Sequence, residues 1–453
     1  MEESFSKEKG KCGQRSAGFS SAGEDMISKL PDSLISQILL CLPTKESVRT
    51  SVLSNRWKSL WRLIPVLDLA SSELPDYNAF VSFIDSFLGF GREDKSCLHK
   101  LKLVIHKCEN DQSCVTRWID FVATPKLEHL HVDFGLVSRE CMEVMPLSLY
   151  VCETLLHLTL NWVSLGWFKS VSLPRLKTMR LESNIYANEA SLQLLISSCP
   201  VLEDLSIVRR PDDNVKVLRV HSQALTSLSM RVGGGHDDDE VYIEDFDFED
   251  FAVLIDAPRL KYLTFDYELS PSKVISNSGS LTKVNLLGCL CLWDDLVKRK
   301  FFTSISGVKD MNISYDTFEI IKTIMPLAQF CNLSCLEAAV LPDSLGSLPR
   351  FLESFPNLKS LILDLCDCTL TLREEIRLSF VPQCLLSSLG FVELKTSCCG
   401  TPTKMEVARY FAKNAVMLKK LVLHLSMLEE KSVVLRDLLA LPRRSSTCQI
   451  IVC

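Results

Sequence analysis

No stretch of about 18 consecutive apolar residues occurs anywhere in the chain, so no membrane-spanning helix is expected. An excess of positive charge is missing as well. The 50 Lys and Arg against 56 Asp and Glu leave a formal charge of −6, which argues against a general nucleic-acid binder. The opening stretch MEESFSKEKGKCGQRSAGFSSAGED has no apolar segment of the secretory kind. A reducing, intracellular setting, nucleus or cytoplasm, is therefore expected, and the protein is read as soluble. The 19 cysteines fit that setting as reduced thiols, most of them placed singly among leucines, as in CPVLEDL and FCNLSCLEA. The triplets Asn312-Ile-Ser314 and Asn332-Leu-Ser334 then carry no glycosylation signal. The C-terminal CQIIVC has Ile450 where a prenylation box needs cysteine.

Catalytic signatures are absent too. There is no phosphate-binding loop, no His-Glu-x-x-His and no Gly-x-Ser-x-Gly. The close cysteine pairs Cys289/Cys291, Cys366/Cys368 and Cys398/Cys399 lack the paired C-x-x-C spacing of structural zinc, and nothing beside them activates a thiolate. No cofactor, no metal and no enzymatic activity are expected.

What is present is a repeat. An apolar residue is followed at +3 and +5 by two more, from Leu98/Leu101/Leu103 through Leu127/Leu130/Val132, Leu202/Leu205/Ile207 and Leu358/Leu361/Leu363 to Leu418/Leu421/Leu423. Thirteen such units recur with a mean period of about 27 residues, inside the leucine-rich-repeat range. Related wording precedes several of them: TPKLEHL, LPRLKTM, CPVLEDL, APRLKYL and FPNLKSL. Alternation along LxxLxL puts the later leucines on one face of a short strand. EASLQLLISSC and LGSLPRFLESF have helical spacing and are expected in a convex layer. A single unit cannot bury its own apolar face, so the units must stack. The expected fold is an α/β solenoid, a curved array with parallel strands on its concave face.

Strand residues that alternate with the buried leucines should line that face: His129, His131, Asp133, His157, Thr159, Arg180, Glu182, Asp204, Tyr262, Thr264, Asp266, Lys283 and Asn285. They are mixed in charge and read as a target-binding surface, neither basic enough for nucleic acid nor apolar enough for lipid. The long interval from Leu225 to Leu260 holds GGGHDDDEVYIEDFDFEDF, whose nine acidic residues read as a solvated insertion.

In front of the array lies LPDSLISQILLCLPTKESVRTSVLSNRWKSLW. Leu34, Ile35, Ile38, Leu39 and Leu42 form a broad apolar stripe on a helix opened by Pro31-Asp32 and stopped by Pro43. A second helix is expected from Thr44, and a third, with Ser54 as its N-cap, carrying Trp57, Leu60 and Trp61. Three short helices cannot cover all these groups, so another surface is expected to cover them.

This stretch resembles an F-box, in its Leu-Pro start, the Ile-Leu pair before a second Leu-Pro, and its S-x-R-W-x-x-L-W close. The resemblance implies docking on a Skp-type adaptor and, through it, on a cullin-RING ubiquitin ligase. It implies adaptor contacts from Leu30, Pro31, Leu34, Ile35, Ile38, Leu39, Leu42 and Pro43, with Leu53, Trp57, Leu60 and Trp61 shared between docking and internal packing. The C-terminal VPQCLLSSLGFVELKTSCCGTPTKMEVARYFAKNAVMLKKLVLHL, followed by LPRRSSTCQIIV, is similar to the FBD domain of plant F-box/leucine-rich-repeat proteins. The matching elements are VP-x-CL-x-SSL, Gly400 before a helix, the LKK strand and P-R-x-S-x-x-C; Leu394 stands where a tryptophan often follows the VE step. The implied organisation is a tail over 1–24, a three-helix F-box over 25–70, repeats over 71–379 and an FBD domain over 380–453 that continues the array. The implied function is recognition of a target protein for ubiquitination. Two alternatives stay open: a non-degradative protein-binding scaffold, and a small-molecule receptor within such a complex.

Overall fold

A computed structural model describes residues 27, 29–89, 98–106, 114–123, 126–135, 139–232, 252–266, 275–277, 279–288, 294–365, 378, 380–396, 401–425 and 431–453. The tail over 1–24, the acidic stretch 233–251, Gly400 and the cysteine pairs at 289/291, 366/368 and 398/399 lie outside the described residues. The chain divides into two units, residues 1–64 and 65–453.

In the front unit, Pro31 precedes α1 (Asp32–Leu40) and Pro43 precedes α2 (Thr44–Arg49), each proline standing where a helix needs no N–H. A 3-10 turn follows α2, and α3 (Trp57–Leu60) runs into a second turn over Trp61–Leu63. Ser54 does not cap α3. The residue before that helix is Arg56, and it is already helical. Arg56 instead spans the unit: Nε and Nη2 donate to Asp32 Oδ1 at 2.8 and 2.6 Å, and Nη2 also donates to the Leu30 carbonyl. The start of α3 is thereby tied to the start of α1.

The second unit is built on one parallel sheet. It opens with β1 (Val66–Ala70), β2 (Lys100–Val104), β3 (His129–Asp133) and β4 (His157–Asn161). Next, β5 (Ser164–Leu165) leaves the sheet to pair with β7 (Ile185–Tyr186), while β6 (Thr178–Glu182) and β8 (Asp204–Arg209) continue it. The chain then alternates between layers. β9 (Val217–His221), β11 (Ala252–Asp256) and β13 (Ile275–Asn277) form a three-stranded parallel sheet, and β10 (Ser227–Val232), β12 (Tyr262–Asp266) and β14 (Lys283–Leu286) extend the main one. The run ends with β15 (Asp310–Ile313), β16 (Cys335–Val340), β17 (Ser360–Leu365), β18 (Phe391–Thr396), β19 (Lys420–Leu423) and β20 (Gln449–Val452). Among the described residues this makes a 15-stranded sheet.

All thirteen sequence units coincide with strands of that sheet. Their later apolar residues stand in register, as in Leu130↔Leu158↔Met179↔Leu205↔Leu228↔Leu263, and form one continuous buried core. β1 lies inside the segment 25–70, yet it pairs in register with β2 through Leu67↔Leu101 and Leu69↔Leu103.

The layer behind the sheet is helical where the sequence has helical spacing, at α6 (Glu189–Ser197), the sixth helix in chain order, and over Leu348–Leu352. In the middle of the array it is not. Val215, Leu218 and Val220 of one segment, and Val253 and Ile255 of another, are buried, and the last two residues of each set alternate at the two-residue period of a strand. These segments therefore form β9 and β11, against the expectation of a helical layer. At the turn from β8 into β9 the side chains of Arg209 and Asp213 are fully buried as an ion pair, with Nε and Nη2 of the arginine 2.6 and 2.7 Å from the carboxylate.

Candidate functional site

Two surfaces carry the residues singled out in the sequence, one on each unit. On the front unit, the broad stripe of α1 separates into two. Ile35 and Leu39, at i and i+4, are buried, and so are Trp57 and Leu60, while α1 packs on α3 and on the Trp61–Leu63 turn. These four residues form the packing of the structure and are not presented at its surface. Leu34, Ile38 and Leu42, also four apart, are 43 %, 46 % and 37 % exposed. Pro31 and Pro43 are exposed beside them, Leu53 is exposed, and Leu30 and Trp61 are half-buried. Leu40, Val52 and Leu63 are exposed as well and were missed, since nothing in their spacing sets them apart from the stripe.

On the second unit, burial alternates along nearly every strand of the main sheet, so that one face is core and the other is open. His129, His131, Asp133, His157, Arg180, Glu182, Asp204, Tyr262, Asp266 and Lys283 all stand on the open face, as do Thr159, Thr264 and Asn285. They do not all line one recess. His131, Thr159, Arg180, Glu182 and Asp204 converge on a recess of about 560 Å³. Asn161, Ser206, Ser229 and Arg231 are among its other lining residues, and the alternation rule reaches all four directly.

Arg180 stands at the centre of this recess, in register with Thr159 on one side and Ser206 on the other. Small hydroxyl side chains flanking a guanidinium leave it accessible from above. Asp133 is occupied by structure: its carboxylate accepts from the Gly135 N–H at 2.8 Å and from Asn161 Nδ2 at 3.2 Å. Gly135 sits there at φ +60°, a conformation that favours glycine. Asp266 pairs with Arg231 at 3.2 Å. Tyr262 and Lys283 are in-register neighbours farther along the sheet.

The histidines form a stack. The His129 and His157 rings lie 4.5 Å apart and nearly parallel. Burial, then the neighbouring His157, lowers the pKa of His129 below its ordinary value; burial is also the main cause of the lowering at His131. The described cysteines are free thiols. Cys152, Cys199, Cys384 and Cys448 are buried, and burial raises each thiol pKa, to about 12 at Cys199 and Cys384. Cys331 is exposed, unlike the buried thiol its leucine-rich surroundings predict. Among the described residues no cluster of His, Cys, Asp or Glu is arranged to hold a metal ion, and no helix is long and apolar enough to cross a membrane.

Comparison with known proteins adds a second line. Residues 27–68 match the F-box domain family, and residues 115–363 match the LRR repeats of FBD-associated F-box protein At5g56370. Residues 377–423 match the FBD family. The chain is 57 % identical to putative FBD-associated F-box protein At5g22720 of Arabidopsis thaliana, over 99 % of both chains. It is 56 % identical to FBD-associated F-box protein At5g22730 of the same plant, over 98 % of both. To putative F-box/FBD/LRR-repeat protein At5g22610 it is 54 % identical, over 94 % of this chain and 89 % of that one.

Proposed function

Because the chain belongs to the plant family of F-box proteins with leucine-rich repeats and an FBD domain, we propose that it is the substrate-recognition subunit of a Skp-cullin-F-box ubiquitin ligase. The three-helix segment over 25–70 docks on the Skp-type adaptor, the repeats over 71–379 bind a target protein, and residues 380–453 continue the array. The subunit positions and does not catalyse. It works without a cofactor, in solution in the nucleus or cytoplasm.

One observation carries this reading. α1 sets an exposed stripe, Leu34, Ile38 and Leu42, beside the buried pair Ile35 and Leu39. A helix that has already packed one apolar face and leaves a second one open is built to be covered by something else. Contacts then come from Leu34, Ile38, Leu42 and Leu53, framed by Pro31 and Pro43, with Leu30 and Trp61 at the margin. The open face of the sheet, with His131, Arg180, Glu182 and Asp204 around its recess, supplies the surface for the target. The recess also supports the reading of a small-molecule receptor, in which a ligand seated there completes the target surface.

The test is co-purification with a Skp-type adaptor, comparing wild type with Ile38→Asp. Burying an unpaired carboxylate on that face costs several kcal/mol, enough to abolish a micromolar complex. Binding by wild type and its loss in a variant with unchanged circular dichroism is the expected result. Binding by neither protein removes the ligase reading, and equal binding by both removes the Ile38 face from the docking surface. Ubiquitin transfer to lysines of a co-purifying target separates the ligase subunit from a non-degradative scaffold.

A further inference from the structure

A row of residues runs along the edge of the main sheet, at the position just before each strand, joined by backbone hydrogen bonds from one repeat to the next. In the front half of the array the charges in this row are paired, His99 with Glu128 at 3.9 Å and Lys177 with Glu203 at 3.7 Å. From β12 onward the composition changes. Lys261, Lys309, Lys359 and Lys419 alternate strictly with Thr282, Ser334 and Gly390. The ladder is continuous. The Thr282 N–H donates to the Lys261 carbonyl at 2.9 Å, Lys309 to Thr282 at 2.8 Å, Ser334 to Lys309 at 2.8 Å, Lys359 to Ser334 at 3.0 Å, Gly390 to Lys359 at 2.9 Å and Lys419 to Gly390 at 2.8 Å.

All four lysines are exposed, and among the described residues none has an ion-pair or hydrogen-bond partner for its ammonium group. The hydroxyls of Thr282 and Ser334 turn back on the carbonyls of Lys261 and Lys309, at 2.9 and 3.2 Å, so the residues between the lysines stay low. Lys283 and Lys420, one position further on, strengthen the same edge. In a chain of net charge −6, four unneutralised cations in line are a local inversion of sign.

The occupant has to be narrow. Asp310 stands one position inside the row, and Glu337 and Glu393 stand further in, paired with Lys395 at 2.5 Å and His424 at 2.7 Å. A broad polyanion would meet these carboxylates. Strands are spaced about 4.8 Å apart, so lysines on every second strand recur about every 9.6 Å. A polyproline-II segment advances about 3.1 Å per residue with three residues per turn, which places every third side chain on one face about 9.3 Å apart.

We infer that this lysine row is a docking track for an extended acidic segment of a partner protein, held in polyproline-II form with Asp or Glu at every third position. This rests on the reading of the array as the target-recognising surface and names the chemistry of one part of the target. The test uses the full chain at physiological salt and measures fluorescence anisotropy with three probes: (Glu-Pro-Pro)₄, a peptide of the same composition with its glutamates contiguous, and a single-stranded oligonucleotide of equal charge. The spaced peptide should bind at least tenfold tighter than the other two, and Lys309→Glu with Lys359→Glu should lose that binding while circular dichroism is unchanged. Equal binding of the two peptides, tighter binding of the oligonucleotide, no binding at all, or wild-type affinity in the double variant overturns the inference. Adaptor co-purification on the same samples reads the front unit alone. Its failure alongside peptide binding removes the ligase reading and leaves the track standing.

Discussion

Asp213→Ala is expected to cost about 3–5 kcal/mol, because it strands a fully buried guanidinium. Two bonds from Arg209 to the Asp213 carboxylate, at 2.6 and 2.7 Å, disappear. So does the bond that Asp213 Oδ1 accepts from the Val215 N–H at 2.9 Å, while the bond from Arg209 Nη2 to the Val215 carbonyl remains. The effect should centre on the turn between β8 and β9. That turn also holds the Asp212 carbonyl and Asn214 Oδ1, which accept from Arg139 at 2.9 and 2.8 Å, and Asn214 Nδ2, which donates to the Tyr186 carbonyl at 3.0 Å. Native-state hydrogen exchange is the suitable assay, since a repeat array loses stability by neighbourhood and not all at once. The amides of Val215 and of Tyr186, which donates to the Asp213 carbonyl at 3.1 Å, should exchange on the order of 10² to 10³ times faster. The double variant Arg209→Met with Asp213→Leu removes both charges together and should cost less than the single variant, its remaining cost being the Val215 N–H and carbonyl left without their side-chain partners. A single variant costing less than about 1 kcal/mol, or a double variant as damaged as the single, refutes the account of the pair as a buried charge that needs its partner.

Two further outcomes follow from the buried titratable groups. Alkylation at pH 8 read by mass spectrometry should label exposed Cys41, Cys331 and Cys453 and spare Cys199 and Cys384, whose buried thiols are held at about 12; labelling of the last two in the folded protein would contradict their burial. For His129 and His131 the folded state resists protonation more than the unfolded one, whose value lies near 6.5. The unfolded chain therefore binds more protons as pH falls through that value, and stability declines on the acid side and is retained above it. Nuclear magnetic resonance titration should place both midpoints below 6.5, and His157→Ala should raise that of His129. Midpoints at or above 6.5 would contradict the packing of the histidine stack.

The array was largely legible because one spacing, i, i+3, i+5, states both that a strand exists and which face is buried. Ile64, Leu67 and Leu69 carry the same spacing into β1, and all three are buried. They were hidden inside a stretch read as helical. At β20, Thr447 occupies the first position of the pattern and the neighbouring Cys448 is buried instead, so the last unit has lost its signal. Alternation also separated the open face from the core, but it could not say that Arg180, Glu182 and Asp204 converge with Ser229 and Arg231 on one recess. Convergence depends on which strands are neighbours, and between β8 and β12 the chain repeatedly leaves the main sheet for β9 and β11. On α1 the limit is of another kind. The sets 34/38/42 and 35/39 are both apolar and lie one residue apart on the helix, so hydrophobicity alone does not rank them. Their ranking comes from α3, which the S-N-R-W turn positions through Arg56.

The exposed set on the front unit also bounds what docking needs. Leu34, Ile38, Leu42 and Leu53 are between 37 % and 63 % exposed, so covering them recovers about half of the 1.5–3 kcal/mol that full burial of each would give. Together that is roughly 3–6 kcal/mol. A micromolar complex requires about 8 kcal/mol in addition to the lost translational and rotational freedom of association. Those four side chains therefore do not hold an adaptor by area alone, and the contact has to take in further apolar surface of the same unit. Val52 at 86 % and Leu63 at 68 % exposed are its largest remaining candidates. It also follows that truncating any one of the four, as in Leu34→Ala, removes about 1 kcal/mol and weakens binding less than tenfold. Ile38→Asp acts differently, by desolvating a carboxylate among the apolar side chains Leu34 and Leu42, and only that kind of change should empty the interface.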